Sequence, residues 1–371
     1  MELCNNVLKN EERAVFELRS LYRKYGYLPY KMSKFEEYDL YVRNKSFLIS
    51  DNIITFTDSD GRLVALKPDV TLSIIKNYKD TTDCVQKVCY NENVYRVSKS
   101  TNAFKEIMQV GLECIGEVDD YQIFEVIALA TESLNTISEN FVLELSHLGV
   151  VRSVIEKMPL SEIAKKKIIE KIGQKNIHDI QNICKAENCD CTELKSVLST
   201  YGDPDKVISA LKEMNIPEIK DYIASISKIL NLLKKTAFYN KIRIDFSAIS
   251  DMNYYNGFVF KGFIDGISSS VLSGGQYDNL MQKMHKKAKA IGFAVYLDMI
   301  ERLDKSEQCY DVDSLILYDE KSDLGAIADA VNIFSDNGKS VMVQKNIPEK
   351  IKYRQLLKIG EKGVEILETN A

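Results

Sequence analysis

Residues 94–116, VYRVSKSTNAFKEIMQVGLECIG, show the pattern of two strands joined by a polar loop. The loop, residues 97–103, is rich in Ser, Thr, Lys and Asn, which turns prefer. In the returning half Gln109, Gly111 and Glu113 alternate with apolar residues, and this period of two predicts a strand. The Gln and Glu on one strand face, together with Arg96, predict either a ligand-binding surface or an ordinary hairpin with one polar face.

Length and composition indicate a soluble globular protein. The chain has 371 residues, 45% of them hydrophobic and 28% charged, which suits two or three domains with a sizeable core. No apolar run is long enough to span a membrane, and the N-terminus lacks a secretory signal pattern, so we expect a cytoplasmic protein. The net charge of −5 argues against nucleic-acid binding as a main role, because such proteins usually carry a basic excess.

Cysteine and histidine give little support for metal chemistry. Of the eight cysteines, Cys184, Cys189 and Cys191 form a cluster, but their spacing matches no usual zinc signature and no histidine lies beside them. The chain contains only three histidines. We therefore expect no metal and no cofactor.

Hydrophobic periodicity predicts a mixture of strands and helices. Residues 149–236 have the apolar spacing of consecutive helices, whereas strands dominate on both sides of this region. We expect helices at residues 10–25, 71–77, 119–137, 290–303, 324–335 and 348–359, and strands at 242–248, 257–263, 267–272, 314–318, 340–343 and 364–367. The expected domains are a core in two parts (1–148 and 237–305), a helical insertion (149–236) and a small C-terminal domain (311–371).

Three further segments place polar groups at turns or strand ends. Asp69 and Thr71 stand at a strand-to-helix junction, where each could equally serve as a helix cap. Tyr254 and Tyr255 lie in a predicted turn, where packing alone could explain them. Tyr277 follows the pair Gly274-Gly275, which could simply form a tight turn.

Taken together and in this order, these segments resemble the catalytic domain of histidyl-tRNA synthetase, a class II synthetase. Residues 27–38 are similar to the first class II motif, 94–116 to the second, and 273–278 with 292–303 to the histidine-specific segment and the third. The resemblance covers roughly residues 5–305 and implies an α+β fold. This fold is a class II aminoacyl-tRNA synthetase-like antiparallel sheet flanked by helices, with a helical insertion, and here a small α/β C-terminal tail domain follows it.

The resemblance also implies a pocket for L-histidine. Asp69 and Thr71 would bind the ammonium group with Gln109 beside them, and Arg96 would face the carboxylate. Glu113 and Tyr255 would bind the two imidazole nitrogens, since a carboxylate and a phenol can each pair with one of them. The expected histidine-binding residues, including the two tyrosines that would form the pocket walls, are Asp69, Thr71, Arg96, Gln109, Glu113, Tyr254, Tyr255 and Tyr277.

Departures from the synthetase pattern indicate that adenylation is lost. Ser98 stands where the second motif has an acidic residue, and Ser250 and Met299 stand where arginines are expected. Cations of this kind stabilise the charge that develops on phosphate, so a synthetase lacking two of them should be nearly inactive. We therefore assign no catalytic residue.

The chain keeps the residues of the histidine pocket, lacks the adenylation residues and has a short tail. In these features it resembles the regulatory subunits of short-form ATP phosphoribosyltransferase. That resemblance implies a catalytic-subunit partner in a hetero-octamer, a self-dimer through the synthetase-like core, and feedback inhibition by histidine at the first step of histidine biosynthesis. Two alternatives remain open: an active histidyl-tRNA synthetase, and a synthetase-like histidine-binding or RNA-binding module of another pathway.

Overall fold

The computed structural model describes residues 8–45, 48, 53–80, 84–98, 101–247, 254–303, 310–360 and 363–370. Contacts divide the chain into two compact units, Met1–Leu303 and Asp304–Ala371. The strands of the first unit, numbered along the chain, are β1 (Leu28–Pro29), β2 (Phe35–Glu37), β3 (Thr55–Thr57), β4 (Leu63–Leu66), β5 (Val85–Val97), β6 (Phe104–Gly116), β7 (Phe141–His147), β8 (Tyr201–Gly202), β9 (Ile242–Asp245), β10 (Phe258–Ile264), β11 (Leu272–Gln276) and β12 (Lys289–Tyr296).

Nine of these strands form one sheet in the order β1-β5-β6-β12-β11-β10-β7-β9-β8. From β5 to β7 in this order every neighbouring pair is antiparallel, whereas the β1–β5 and β7–β9 pairs are parallel. The expected synthetase-like antiparallel sheet is therefore confirmed.

The hairpin predicted from residues 94–116 is the longest of this sheet. Strands β5 and β6 pair without interruption from Val85↔Gly116 to Val97↔Phe104. Asn102 in the connecting loop adopts a left-handed conformation with φ 52°, which asparagine tolerates better than most residues. The predicted strand–loop–strand is confirmed.

Helices cover the sheet as the amphipathic patterns predict. Leu18 and Tyr22 of the first helix and Val126 and Leu129 of the fourth are fully buried in one apolar cluster with the sheet residue Phe293. The helices of the first unit are α1 (Asn10–Lys24), α2 (Tyr38–Arg43), α3 (Thr71–Asn77), α4 (Asp120–Ile137), α5 (Leu148–Lys157), α6 (Glu162–Gly173), α7 (Ile177–Ala186), α8 (Thr192–Ser199), α9 (Pro204–Glu213), α10 (Lys220–Leu233) and α11 (Asp278–Lys283). Helices α5–α10 confirm the predicted helical region, and their buried side chains belong to the same cluster.

Two predictions near the third motif are wrong. Residues 290–296 form strand β12 rather than the start of a helix, and only Leu297–Leu303 is helical, as a 3-10 helix. The run is apolar on both faces because β12 is buried on both sides, and such a strand resembles a buried helix in sequence. The predicted strand 267–272 is also misplaced, because the observed strand β11 begins at Leu272, where the predicted strand ends. Gly274 and Gly275 lie within β11 and do not form a tight turn.

A smaller sheet, β2-β4-β3, precedes helix α3 and carries the chain to the large sheet. Its last strand leads into Lys67, whose side chain is fully buried and whose ammonium lies 2.9 Å from the Glu92 carboxylate of β5. The Lys67 carbonyl accepts a 2.9 Å hydrogen bond from the Tyr95 amide. These contacts hold the segment leading into α3 against the long hairpin.

In its described residues, 310–360 and 363–370, the second unit contains a four-stranded sheet and one helix. Its elements are β13 (Val312–Leu317), α12 (Leu324–Asp336), β14 (Val341–Gln344), β15 (Tyr353–Gly360) and β16 (Gly363–Thr369). The order is β14-β13-β15-β16, with β16 antiparallel to β15 and the other pairs parallel. The predicted helix 348–359 is wrong, because Leu356 and Leu357 are buried in separate clusters on opposite faces of strand β15.

No helix in the described part of the chain is long and apolar enough to cross a membrane.

Candidate functional site

A cavity of about 370 Å³ lies in the first unit, against one face of the large sheet. All eight residues that the sequence predicts as ligand contacts line it: Asp69, Thr71, Arg96, Gln109, Glu113, Tyr254, Tyr255 and Tyr277. These residues come from separate stretches of chain. The sequence analysis groups them only through the resemblance to a known family, and the fold places them around one cavity.

Small residues on neighbouring strands create the floor of this cavity. Gly292 of β12 lies opposite Glu113 of β6, and a Cβ on Gly292 would stand 1.7 Å from Glu113 Oε2. A Cβ on Gly111 would stand 2.4 Å from Tyr90 Oη. Gly275 of β11 similarly leaves space for the Tyr255 ring, 2.8 Å from the position of a Cβ. Glycine is therefore required at these positions by close approach rather than by backbone conformation.

Glu113 is the most deeply buried acid of the cavity. Its Oε1 accepts a 2.7 Å hydrogen bond from Thr71 Oγ1, and its Oε2 accepts one of 2.6 Å from Tyr277 Oη. Burial raises the pKa of Glu113 to about 8, the two hydrogen bonds oppose this rise, and the nearby charge of Asp69 adds to it. The Glu113 carboxyl therefore gains or loses its proton near neutral pH, and a ligand N–H donor or a cation beside it would favour the ionised form.

Asp69 and Arg96 form a second charged region. Asp69 Oδ1 accepts a 2.9 Å hydrogen bond from the Leu72 amide in the first turn of α3, so the helix-capping interpretation and the cavity-lining one both hold. Burial raises the pKa of Asp69, while the Leu72 amide and the Arg96 guanidinium act in the opposite direction. Arg96 Nε donates to the Pro68 carbonyl at 3.1 Å, which ties β5 to this segment. Thr71 does not cap α3 with its hydroxyl, which donates to Glu113 instead.

Three of the tyrosines that line the cavity, Tyr254, Tyr255 and Tyr277, lie close together. The Tyr254 ring lies 4.7 Å from that of Tyr255 and 6.0 Å from that of Tyr277, measured between centroids. Burial raises the pKa of Tyr254 and of Tyr277 well above the ordinary value, so both phenols stay protonated and can donate. The Tyr277 hydroxyl orients Glu113, which goes beyond the wall role that the resemblance implies for it.

Asp278 and Asn256 fix the two tyrosine-bearing segments to each other. The Asp278 amide donates to Asn256 Oδ1 at 2.7 Å, and Asn256 Nδ2 donates to Asp278 Oδ2 at 3.2 Å. Asp278 Oδ1 also accepts from the Ala290 amide at 2.9 Å. This network holds Tyr254 and Tyr277 on adjoining strand ends.

Sequence reasoning missed several lining residues. Lys261 interrupts the otherwise apolar strand β10, and a lone charge in such a strand is the signal that could have identified it. The other polar residues that were missed are Tyr90, Ser270, Ser273 and Tyr296. Ser250 lies outside the described residues. Met299 packs beside the buried core.

The chemistry of this cavity suits a small ligand that carries both N–H donors and an acidic group. Two carboxyls and a threonine hydroxyl can accept or share protons, and two cations, Arg96 and Lys261, line the same space. A concave site with a few convergent polar groups and a strongly perturbed carboxyl is the usual form of a ligand pocket.

Known proteins resemble this chain over most of its length. A family model described as histidyl-tRNA synthetase matches residues 2–300. Proteins named ATP phosphoribosyltransferase regulatory subunit match in Clostridium kluyveri (31% identity, covering 76% of this chain and 75% of that protein) and in Oceanobacillus iheyensis (26%, 94% and 88%). The fold is also similar to that of an ATP phosphoribosyltransferase regulatory subunit/histidyl-tRNA synthetase from Bacillus halodurans, with TM-score 0.72, 23% identity and coverage of 90% of this chain and 88% of that one.

Proposed function

We propose that this chain, which belongs to the histidyl-tRNA synthetase family and, within it, to the ATP phosphoribosyltransferase regulatory subunits, binds L-histidine and regulates a separate catalytic subunit. The catalytic subunit would condense ATP with phosphoribosyl pyrophosphate in the first step of histidine biosynthesis. The observation that carries this proposal is the meeting of the eight expected contact residues in one cavity.

The imidazole ring would bind at the Glu113 end. Glu113 is buried and held by two hydroxyl donors, and a ring N–H would supply a further donor that favours its ionised form. Tyr255, whose ring occupies the space left by Gly275, would bind the other ring nitrogen. A carboxylate and a phenol can each pair with one ring nitrogen, which distinguishes an imidazole from an apolar side chain of similar size.

The amino-acid backbone of the ligand would bind near α3. Asp69 and Thr71 would face its ammonium group, and Gln109, which is buried on β6, would lie beside it. Arg96 is the expected partner of the carboxylate. Its guanidinium already contacts the Pro68 carbonyl, so part of its role would be to position the Asp69 segment.

The chain itself would carry out no synthetase chemistry. Where the synthetase pattern has arginine, Met299 packs against apolar core residues, and the described cations of the cavity are Arg96 and Lys261. A pyrophosphate-exchange assay with the purified protein should give no histidine-dependent exchange above background. Exchange at a synthetase-like rate would make this chain an active histidyl-tRNA synthetase.

Regulation would act through assembly. The synthetase-like core would form a dimer, and dimers would combine with equal numbers of catalytic chains in a hetero-octamer. Histidine that binds more tightly to one state of the assembly shifts its equilibrium, and such coupling is typically about 1–3 kcal/mol.

Reconstitution tests this proposal directly. The catalytic subunit alone should show little condensation of ATP with phosphoribosyl pyrophosphate, addition of this chain should increase the rate, and histidine should then inhibit it. A catalytic subunit whose rate does not respond to this chain would contradict the regulatory role. Activation without inhibition by histidine would contradict the sensing role alone.

A further inference from the structure

Lys261 lies at the end of the cavity farthest from Glu113 in strand order. It sits on β10 opposite Ser273 of β11, and Ser273 lies opposite Ala294 of β12. Directly paired residues share a face, so Lys261 points to the same side of the sheet as Glu113, whose strand is three positions away. With strands about 4.8 Å apart, the two backbones are separated by about 14 Å. The Lys261 end is thus a separate region of the cavity.

The Lys261 ammonium has no hydrogen-bond or ion-pair partner among the residues that the structure describes. It is half-buried, and this burial lowers its pKa. Glu144, opposite it on β7, and Asp245 partly counter this effect, while Lys175 reinforces it. Lys175 is itself paired with Asp245 at 2.9 Å. Since a partly desolvated cation gains from a nearby anion, this position favours an anionic ligand.

Several hydroxyl groups line the same cavity as Lys261. Ser273 Oγ and Tyr296 Oη lie 2.7 Å apart and share one hydrogen bond, so one of the two hydroxyl hydrogens is not used in it. Ser270 also lines the cavity and precedes Val271, whose amide donates to the Gly262 carbonyl next to Lys261. A cation flanked by hydroxyl donors is suited to the oxygens of a carboxylate or a phosphate.

We propose that Lys261, together with the hydroxyls of Ser273 and Tyr296, binds an oxyanion at this end of the cavity. The oxyanion is either the carboxylate of the amino-acid ligand, which would then bind Lys261 in place of Arg96, or a phosphate of a second ligand. The first source rests on the proposed function, because it requires that an amino acid occupy the cavity. The second source requires only the cavity itself.

Calorimetric titration of the full-length protein tests this inference with three probes: L-histidine, histamine and inorganic phosphate. Histamine keeps the imidazole and the ammonium group but lacks the carboxylate. The test variant is Lys261→Met, which keeps most of the length of the side chain and removes its charge. The control is Lys289→Met, which removes an exposed lysine from strand β12 of the same sheet.

If the ligand carboxylate binds Lys261, the K261M variant should lose at least about tenfold in affinity for histidine and keep its affinity for histamine. If a second ligand binds there, K261M should lose phosphate binding and keep both imidazole ligands. The K289M variant should match wild type with all three probes.

Failure of this inference can be separated from failure of the proposed function. Wild-type protein that binds histidine, with unchanged affinity for every probe in K261M, would overturn the oxyanion site and leave the histidine pocket standing. Phosphate binding that depends on Lys261, without any histidine binding, would support the oxyanion site and contradict the histidine pocket. Binding of none of the three probes would overturn both.

Discussion

At the scale of single residues, Glu113 sets the properties of the cavity. Its carboxyl is almost completely shielded from solvent, and both oxygens accept hydrogen bonds from hydroxyl groups, of Thr71 and Tyr277. Hydroxyl donors favour the carboxylate, but they do not offset the loss of water, so the pKa stays high at about 8. Without ligand, an ionised Glu113 therefore costs stability.

The sign of the pH dependence follows from this raised pKa. A carboxyl that binds its proton more tightly in the folded state than in the unfolded state, where its pKa is 4.5, stabilises the fold while protonated. This contribution is present at low pH and is lost as pH rises towards about 8. We expect the free energy of unfolding of wild type, relative to the Glu113→Gln variant, to fall by on the order of 2–3 kcal/mol between about pH 5.5 and 8.5.

Urea unfolding of the ligand-free protein at both pH values measures this difference. Glu17→Gln, at an exposed position of helix α1, provides the control, and its difference from wild type should change little with pH. A difference between wild type and Glu113→Gln that is the same at both pH values would show that Glu113 does not carry the shift.

The sequence predicts pocket residues where polar side chains interrupt the pattern of a strand. Gln109 and Glu113 interrupt an alternating strand, and this polar interruption is enough to predict that they share a face. The hydrogen bond from Thr71 to Glu113 is not predictable, because it joins residues that only the folded sheet brings together. Lys261 was missed because it belongs to none of the motifs, and its single charge in an apolar strand is a weak signal alone.

At the scale of elements, strand β12 decides whether the cavity exists. Its apolar sequence suggests a helix, yet it pairs with both β6 and β11 and supplies a glycine opposite Glu113. Strand register is a long-range property, so the sequence of β12 alone does not indicate which of its residues face Glu113. Small residues on this strand make room for the polar side chains of its neighbours.

The Gly292→Ala variant tests this role of β12. The new Cβ would overlap Glu113 Oε2, so the carboxylate would have to move away from Thr71 and Tyr277. We expect a loss of about 1–3 kcal/mol in the free energy of unfolding and at least about tenfold weaker histidine binding. Gly325→Ala in α12 is the control, since its Cβ would meet only the Asp323 side chain, at 3.3 Å. Wild-type histidine affinity in Gly292→Ala would show that the Glu113 position is not part of the pocket.

The segment before α3 depends on a buried ion pair. Lys67 is fully buried and its ammonium lies 2.9 Å from Glu92, so Lys67→Met would leave a poorly hydrated carboxylate behind. We expect a cost of about 3–5 kcal/mol in chemical unfolding. Arg43→Met removes one partner of the exposed Arg43–Asp39 pair and should cost no more than about 1 kcal/mol. Equal small effects of both substitutions would mean that the Lys67 pair does not anchor this segment.

At the scale of the whole molecule, the pattern of resemblance predicts the fold better than local periodicity does. Motifs spread over roughly 300 residues indicate the antiparallel sheet and its helical insertion, and both are present. Periodicity fails at β12, which is buried on both faces, and at β15, where the adjacent residues Leu356 and Leu357 are both buried, so neither run shows the alternation that identifies a strand. The positions of β12 and β15 are not predictable from local sequence, because they depend on pairing with strands that are distant along the chain.

In the proposed function, histidine bound beside Glu113 controls a catalytic partner. The most direct measurement is the histidine inhibition curve of ATP phosphoribosyltransferase activity, recorded with a catalytic subunit and either wild-type chain or the Glu113→Gln variant. We predict that both chains activate the catalytic subunit and that the variant requires at least about tenfold more histidine for half-inhibition. Identical inhibition curves for two fully activating chains would contradict a sensing role of Glu113, because the histidine would then be sensed elsewhere.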